Sequence, residues 1–261
     1  MLQALQQLWT RPARDRVGRT GFVYTPDKPL GPMTLAKVGD VVSTDVTSPW
    51  IVVDHCKDSI VFANWPGTLW FVEVVESAPR SNQITESYTR ARTVRLIERS
   101  SATELFGLNG ASVGNLLDQA ARLEISQVAA MYSPEPESHD KFAAAWERWL
   151  KQLGDDTYVG HDYSETLGVG PRGYDSPIGR GFVLLFNVMH KRAQELQGDS
   201  GFTVDTEGEI HFAKQWQFAF DAARHAAMAY GAPDLLSESD RKLLATTWER
   251  RINTTSGDTT G

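Results

Sequence analysis

The segment SIVFANWPGTLWFVEVV, residues 59–75, carries the clearest secondary-structure signal in the chain. In its second half the apolar residues Trp70, Val72 and Val74 occupy alternate positions, and a period of two is that of a β-strand. Pro66-Gly67 is a turn dipeptide, because proline presets φ and glycine accepts a positive φ at the next position. We therefore predict a β-hairpin with a type II turn at Pro66-Gly67.

Short runs rich in β-branched and aromatic residues lie on both sides of this segment, and turn residues separate them. They are GFVYTP (21–26), MTLAKVGDVV (33–42), WIVVDHC (50–56) and ARTVRLIE (91–98). These runs predict an antiparallel sheet or a partly closed barrel in residues 1–100.

From about residue 103 the apolar residues take a helical spacing. One stripe is Val113, Leu116, Ala120 and Leu123, and Ser237 with Asp240 has the spacing of a capping box. The fold class we predict is α+β, with the β-rich region followed by a helical region. The helical region covers residues 101–252 and shares one core with the first, and residues 253–261 form a disordered tail.

Composition limits the class of protein. The chain has 261 residues, 41% of them hydrophobic, with eight tryptophans, which is typical of a folded globule. A single cysteine forms no internal disulfide, so we expect a soluble protein of a reducing compartment, the cytoplasm. No apolar run approaches the roughly 18 residues of a membrane span. Leu2, Leu5 and Trp9 instead predict an amphipathic N-terminal helix.

Charge is distributed unevenly between the two regions. Residues 1–100 hold 12 basic against 10 acidic residues, a net of +2, and residues 101–261 hold 14 against 23, a net of −9. The acidic half makes nonspecific nucleic-acid binding by the whole protein unlikely, and it suits a basic protein partner.

The glycine-rich segment GVGPRGYDSPIGRG, residues 168–181, is a candidate anion site. Its G-x-G-x-x-G letters are not preceded by a strand, which excludes a dinucleotide-binding motif. A helix that starts near Ser176 would instead present its positive N-terminus to a phosphate-bearing small molecule or a nucleotide. The residues of this hypothesis are Arg172, Ser176, Gly179, Arg180 and Gly181. The alternative is that the glycines only let the chain turn and pack closely.

A second candidate is a loop site of His161, Asp162, Glu209 and His211, which requires the fold to bring two distant segments together. The histidines lack the spacing of zinc motifs, so we predict no metal site. No complete catalytic set or cofactor motif is present, which leaves open whether the protein is an enzyme.

Three further expectations concern single residues. Arg90 and Arg92 share a strand face, but no aromatic pair is evident on a neighbouring strand, which favours a solvated face over RNA binding. Cys56 is expected to be buried and inert. His225 is four residues from Asp221 on a helix, where the two side chains are expected to pair.

Three function classes therefore remain. The first is an intracellular protein-binding module, such as an inhibitor or immunity-type protein, whose acidic helical surface meets a basic partner. The second is an enzyme or binding protein for a phosphorylated small molecule at residues 168–181. The third is an assembly component that docks through its N-terminal helix.

Overall fold

The computed structural model describes residues 18–27, 33, 35–44, 50–57, 60, 64–78, 88–153 and 177–253. The chain divides into two compact units. The barrel unit comprises Met1–Phe62 and Pro66–Ala102, and the helical unit comprises Ala63–Trp65 and Thr103–Gly261. The predicted N-terminal helix and almost all of the predicted tail lie outside the described residues.

The barrel unit contains one antiparallel sheet. Its strands are β1 (Thr20–Pro26), β2 (Val41–Ser43), β3 (Ile51–Asp54), β4 (Gly67–Ser77) and β5 (Tyr88–Ser101). Their order is β2-β5-β3-β1-β4, and β4 also pairs with β5. The pairing of β4 with β5 closes β1, β3, β4 and β5 into a four-stranded barrel, with β2 added at the other edge of β5. With the helices that follow, this confirms the predicted α+β class.

Alternate side chains of these strands fill the barrel interior, as their period of two requires. Trp70, Val72 and Val74 of β4 are buried there, as predicted from their spacing, together with Val94 and Leu96 of β5.

The predicted hairpin at Pro66-Gly67 is wrong. Gly67 is the first residue of β4 and pairs with Pro26 of β1, so it is strand rather than turn. Glycine is needed there for space, because an added Cβ would overlap the Tyr24 ring. The strands that flank β4 are β5, the next strand in the chain, and β1, which comes from a distant part of the chain that local turn chemistry does not reveal.

The helical unit contains six α-helices in its described residues. They are α1 (Gly110–Ala121), α2 (Ile125–Ala129), α3 (Pro136–Leu153), α4 (Pro177–Gln197), α5 (Lys214–Gly231) and α6 (Glu238–Asn253). A short two-stranded sheet, β6 (Phe202–Val204) and β7 (Ile210–Phe212), lies between α4 and α5. Helix α5 is central, since it contacts α1, α3, α4 and α6.

Buried tryptophans anchor this helical core. Trp216 and Trp248 are fully buried, and each indole N–H donates to a glutamine oxygen, of Gln197 at 2.6 Å and of Gln119 at 2.9 Å. Burial of the polar N–H is therefore compensated. The predicted stripe on α1 is buried as well, and the Ser237 hydroxyl accepts from the Asp240 N–H at 3.1 Å, as the predicted cap requires.

Helix α1 begins at Gly110. The preceding residues Ala102–Asn109 already follow 3₁₀ turns. None of the helices in the described part of the chain has the length and hydropathy that crossing a bilayer requires.

Candidate functional site

The hairpin of β6 and β7 projects from the helical unit. Asp205 and Gly208 make its turn, because Gly208 has a φ of +87° and its N–H bonds the Asp205 carbonyl at 3.2 Å. One Asp205 carboxylate oxygen also accepts the N–H groups of Glu207 and Glu209, both at 2.9 Å. The Asp205 side chain thus holds the turn.

Aromatic rings fasten the base of the hairpin to the helices. Phe202 of β6 stacks on Phe212 of β7, with ring centroids 5.9 Å apart. His190 of α4 lies 4.5 Å from the Phe202 ring, and Phe220 of α5 lies 5.6 Å from the Phe212 ring. These contacts fix the base, while the residues further along the same face have no such cover.

Val204 and Ile210 are the next residues on that face. They are directly opposite each other across the two strands, and each side chain is 66% exposed. Because the two apolar side chains are adjacent across the strands, they form a small candidate contact surface.

Carboxylates are frequent in the sequence on both sides of this apolar pair. Between Ala193 and Ala213 the chain contains five acidic residues and no lysine or arginine. All five are exposed: Glu195, Asp199, Asp205, Glu207 and Glu209.

Three side chains of the hairpin, two carboxylates and one imidazole, converge. His211 Nε2 lies 2.8 Å from Asp205 Oδ2 and 3.9 Å from Glu209 Oε2. The hydrogen bond from His211, followed by that from the Glu209 N–H, holds the pKa of Asp205 below its usual value. The ligand atoms of the three residues lie within 4.8 Å of one another, so they are the residues that would hold a divalent cation. All three are exposed and already bond one another, which is sufficient to explain their positions.

The structure describes two of the four residues of the predicted loop site. Glu209 and His211 are neighbours on the hairpin, and Asp205 joins them, which the sequence reading missed. His161 and Asp162 lie outside the described residues. The signal for Asp205 was present in its position before the Gly208 turn, four residues from Glu209.

The residues of the predicted anion site are placed only in part. Helix α4 begins at Pro177, as expected, but Arg172, Ser176 and the Arg180 side chain lie outside the described residues. Gly179 and Gly181 are among the described residues, and both are buried.

A serine–histidine pair lies inside the helical unit. Ser138 Oγ is 2.8 Å from His225 Nδ1, a contact that resembles an activated nucleophile. Ser138 and His225 are only 2% and 1% exposed, so no substrate reaches them. The expected partner of His225 is also wrong, since Asp221 pairs with Arg224 at 2.9 Å.

A small pocket opens between α1, α5 and α6, with a volume of about 180 Å³. Four of the polar side chains that line the pocket are already hydrogen-bonded in two pairs. Trp248 donates to Gln119, and the Tyr230 hydroxyl donates to Glu249 at 2.7 Å. The pocket is therefore a weaker candidate than the hairpin. Comparison of the chain with family models, with curated proteins and with solved structures finds no match.

Proposed function

We propose that the protein is a protein-binding module whose β6–β7 hairpin docks on a basic partner. The observation that supports this most directly is the exposed Val204–Ile210 pair, on a hairpin in a segment with five exposed acidic residues and no lysine or arginine. Apolar side chains at the centre of a contact supply most of its binding energy, and surrounding charges steer the encounter.

The hairpin suits such a contact because its base is rigid. The rings of Phe202, Phe212 and His190 hold it on the helices, and Asp205 holds its turn. A surface that is ordered before binding loses less entropy on association.

The form of this function that we propose is an inhibitor or immunity-type role inside the cell. The carboxylates of the hairpin then cover a basic surface of the partner, such as one that binds nucleic acid or an acidic substrate, and Val204 and Ile210 enter an apolar depression beside it. Opposite charges on the two surfaces also speed association, and added salt slows it.

The test compares capture of a partner from the native host by the wild type and by the Val204→Ser/Ile210→Thr double variant. We expect a basic protein to bind the wild type, with an affinity that falls as the salt concentration rises. The double variant should bind the same protein with an affinity at least about tenfold lower. Glu207→Lys should slow association of the same partner.

Leu108→Ser is the matched control, because Leu108 is an exposed apolar residue of the same unit outside the hairpin. It should bind as the wild type does. Equal capture by the wild type and the folded double variant would contradict the proposal, as would binding that is indifferent to salt.

A further inference from the structure

The outer face of the barrel unit carries a row of aromatic side chains. In the ladder register Phe71 of β4 is opposite Phe22 of β1, Phe22 is opposite Asp54 of β3, and Asp54 is opposite Tyr88 of β5. Residues directly opposite each other project from the same side of a sheet. The rings of Phe22 and Phe71 are in contact, with centroids 5.3 Å apart. All three aromatic residues are half-buried rather than covered.

Trp50 extends this face. It directly precedes β3, is 37% exposed and lies beneath Arg92, and Val52 beside it is 44% exposed. We call Phe22, Phe71, Tyr88 and Trp50 the aromatic face.

Cationic side chains lie over the rings of the aromatic face. Arg92 Cζ is 5.0 Å from the Trp50 ring centroid, Arg90 Cζ is 5.9 Å from that of Tyr88, and Lys57 Nζ is 5.4 Å from that of Phe22. These distances are those of cation–π contacts.

The two arginines keep their charge available. Among the described residues neither Arg90 nor Arg92 forms an ion pair, whereas Arg95 on the same strand bonds Glu73 at 2.9 Å. Asp54, which interrupts the aromatic row, is only 9% exposed, so little of its surface reaches solvent.

Aromatic rings beside two arginines without an ion pair in the described residues together match one kind of ligand. Bases stack on aromatic side chains and guanidinium groups, and backbone phosphates bind cations. An acidic protein segment would use the charges but not the aromatic rings.

We propose that the aromatic face binds single-stranded nucleic acid. Trp50, Tyr88 and the Phe22–Phe71 pair stack on bases, while Arg90, Arg92 and Lys57 contact phosphates. Along the curved surface of the barrel, the row from Phe71 to Tyr88 crosses three strand spacings, about 14 Å. A duplex is excluded because its bases are stacked on one another and offer no free faces.

This surface is separate from the hairpin and does not depend on the protein-binding function. The sequence argued against nucleic acid because no aromatic pair was evident beside Arg90 and Arg92. The barrel brings Phe22 and Phe71 together on β1 and β4 from positions far apart in the chain, which the sequence pattern does not reveal.

The test measures fluorescence anisotropy of a labelled oligothymidylate of about 12 nucleotides titrated with the full chain. Two competitors are a duplex of equal length and polyglutamate, which has charge but no bases. We expect the single strand to bind at low salt and both competitors to bind at least about tenfold more weakly. The plot of log affinity against log salt should have a slope of about −2, from three phosphate contacts.

Variants locate the site. Trp50→Leu keeps an apolar side chain and should weaken binding about tenfold or more, as loss of one stacked base predicts. Arg90→Gln and Arg92→Gln should each weaken binding and reduce the salt slope by about 0.7. Arg95→Gln is the matched control, because Arg95 is on the same strand but already paired with Glu73, and it should bind within about twofold of the wild type.

Three results would overturn the proposal. The first is no binding at low salt by the wild type. The second is equal loss in Arg95→Gln and Arg92→Gln, which would show diffuse attraction rather than a site. The third is polyglutamate competing as well as the single strand, which would make this a surface for acidic proteins.

Discussion

At the residue scale, His225 shows how the fold sets the chemistry of one side chain. Its Nδ1 bonds Ser138, its ring stacks on Phe142 with centroids 4.7 Å apart, and its Nε2 has no hydrogen-bond partner within the described residues. Burial, and then the nearby charges of Arg224 and His139, lower the pKa of His225 to about 3. The histidine is therefore neutral in the folded protein at every pH near 7.

This pKa predicts a loss of stability in mild acid. The pKa of His225 in the unfolded chain is about 6.5, so below that pH the unfolded state gains a proton that the folded state excludes. Its contribution to stability is complete above about pH 6.5 and is lost as the pH falls toward 3. We expect the free energy of unfolding to decrease by up to about 1.4 kcal/mol per pH unit in this window.

Urea unfolding between about pH 7 and about pH 4.5 measures this effect. The comparison variant is His225→Phe with Ser138→Ala, which keeps the stacking on Phe142 and removes both polar groups. Its stability should fall less steeply with acid than that of the wild type. An identical slope in the two proteins would show that His225 does not control the acid response.

Cys56 is a simpler correction at the same scale. Its position at the end of an apolar run predicts a buried thiol, yet the side chain is exposed. The interior residues of β3 are Ile51 and Val53, and the strand ends at Asp54, so Cys56 lies beyond the strand and outside the alternation that buries them.

At the element scale, glycines determine how closely helices approach. Val113 of α1 lies between α4 and α5, since a Cβ on Gly181 would be 3.2 Å from its Cγ1 and a Cβ on Gly231 would be 3.3 Å from its Cγ2. Gly181 therefore acts in packing, which is the alternative that the sequence left open. Val113 is buried and has no free side to which it can move.

Gly181→Ala is expected to destabilise the protein. Overpacking against Val113 costs about 1–3 kcal/mol, and the better helix propensity of alanine returns about 0.5–1 kcal/mol. The net loss in urea unfolding should be about 1 kcal/mol.

Combination with Val113→Ala tests the cause. With the valine methyl groups removed, Gly181→Ala should be neutral or stabilising, because only the propensity gain remains. A loss of the same size in both backgrounds would mean that Val113 is not the residue that limits the approach.

At the scale of the whole molecule, the helical unit incorporates a residue from the middle of the barrel sequence. Trp65 lies two positions before the start of β4 but belongs to the helical unit. Its indole N–H donates to Asp118 Oδ1 at 2.9 Å, and its ring centroid lies 5.6 Å from that of Phe106. Helix α1 thus depends on a contact across 53 residues of chain.

Trp65→Ala should therefore destabilise the helical unit, although Trp65 is numbered among the strands. Loss of a half-buried indole and its hydrogen bond is expected to cost about 2–3 kcal/mol. Hydrogen exchange at the amides of Leu116 and Leu117 should speed up accordingly.

Trp50→Ala is the matched control, since Trp50 belongs to the barrel unit and is more exposed. It should cost less than about 1 kcal/mol and should leave exchange in α1 unchanged. If Trp65→Ala leaves α1 protected, the contact with Asp118 contributes nothing to that helix.

The sequence by itself determined the fold class, the buried stripes of β4 and α1, and the Ser237 cap of α6. These features depend on residue spacing and on neighbours within a few residues, so they can be read from the sequence without knowledge of the fold. Only the tertiary structure decided that the barrel closes, that Ser138 bonds His225 across 87 residues, and that Phe22 meets Phe71. Register and packing between distant segments produce such contacts, and both depend on the free energy of the whole fold rather than on local pattern. The aromatic face belongs to this second kind, which is why it was not visible in the order of residues.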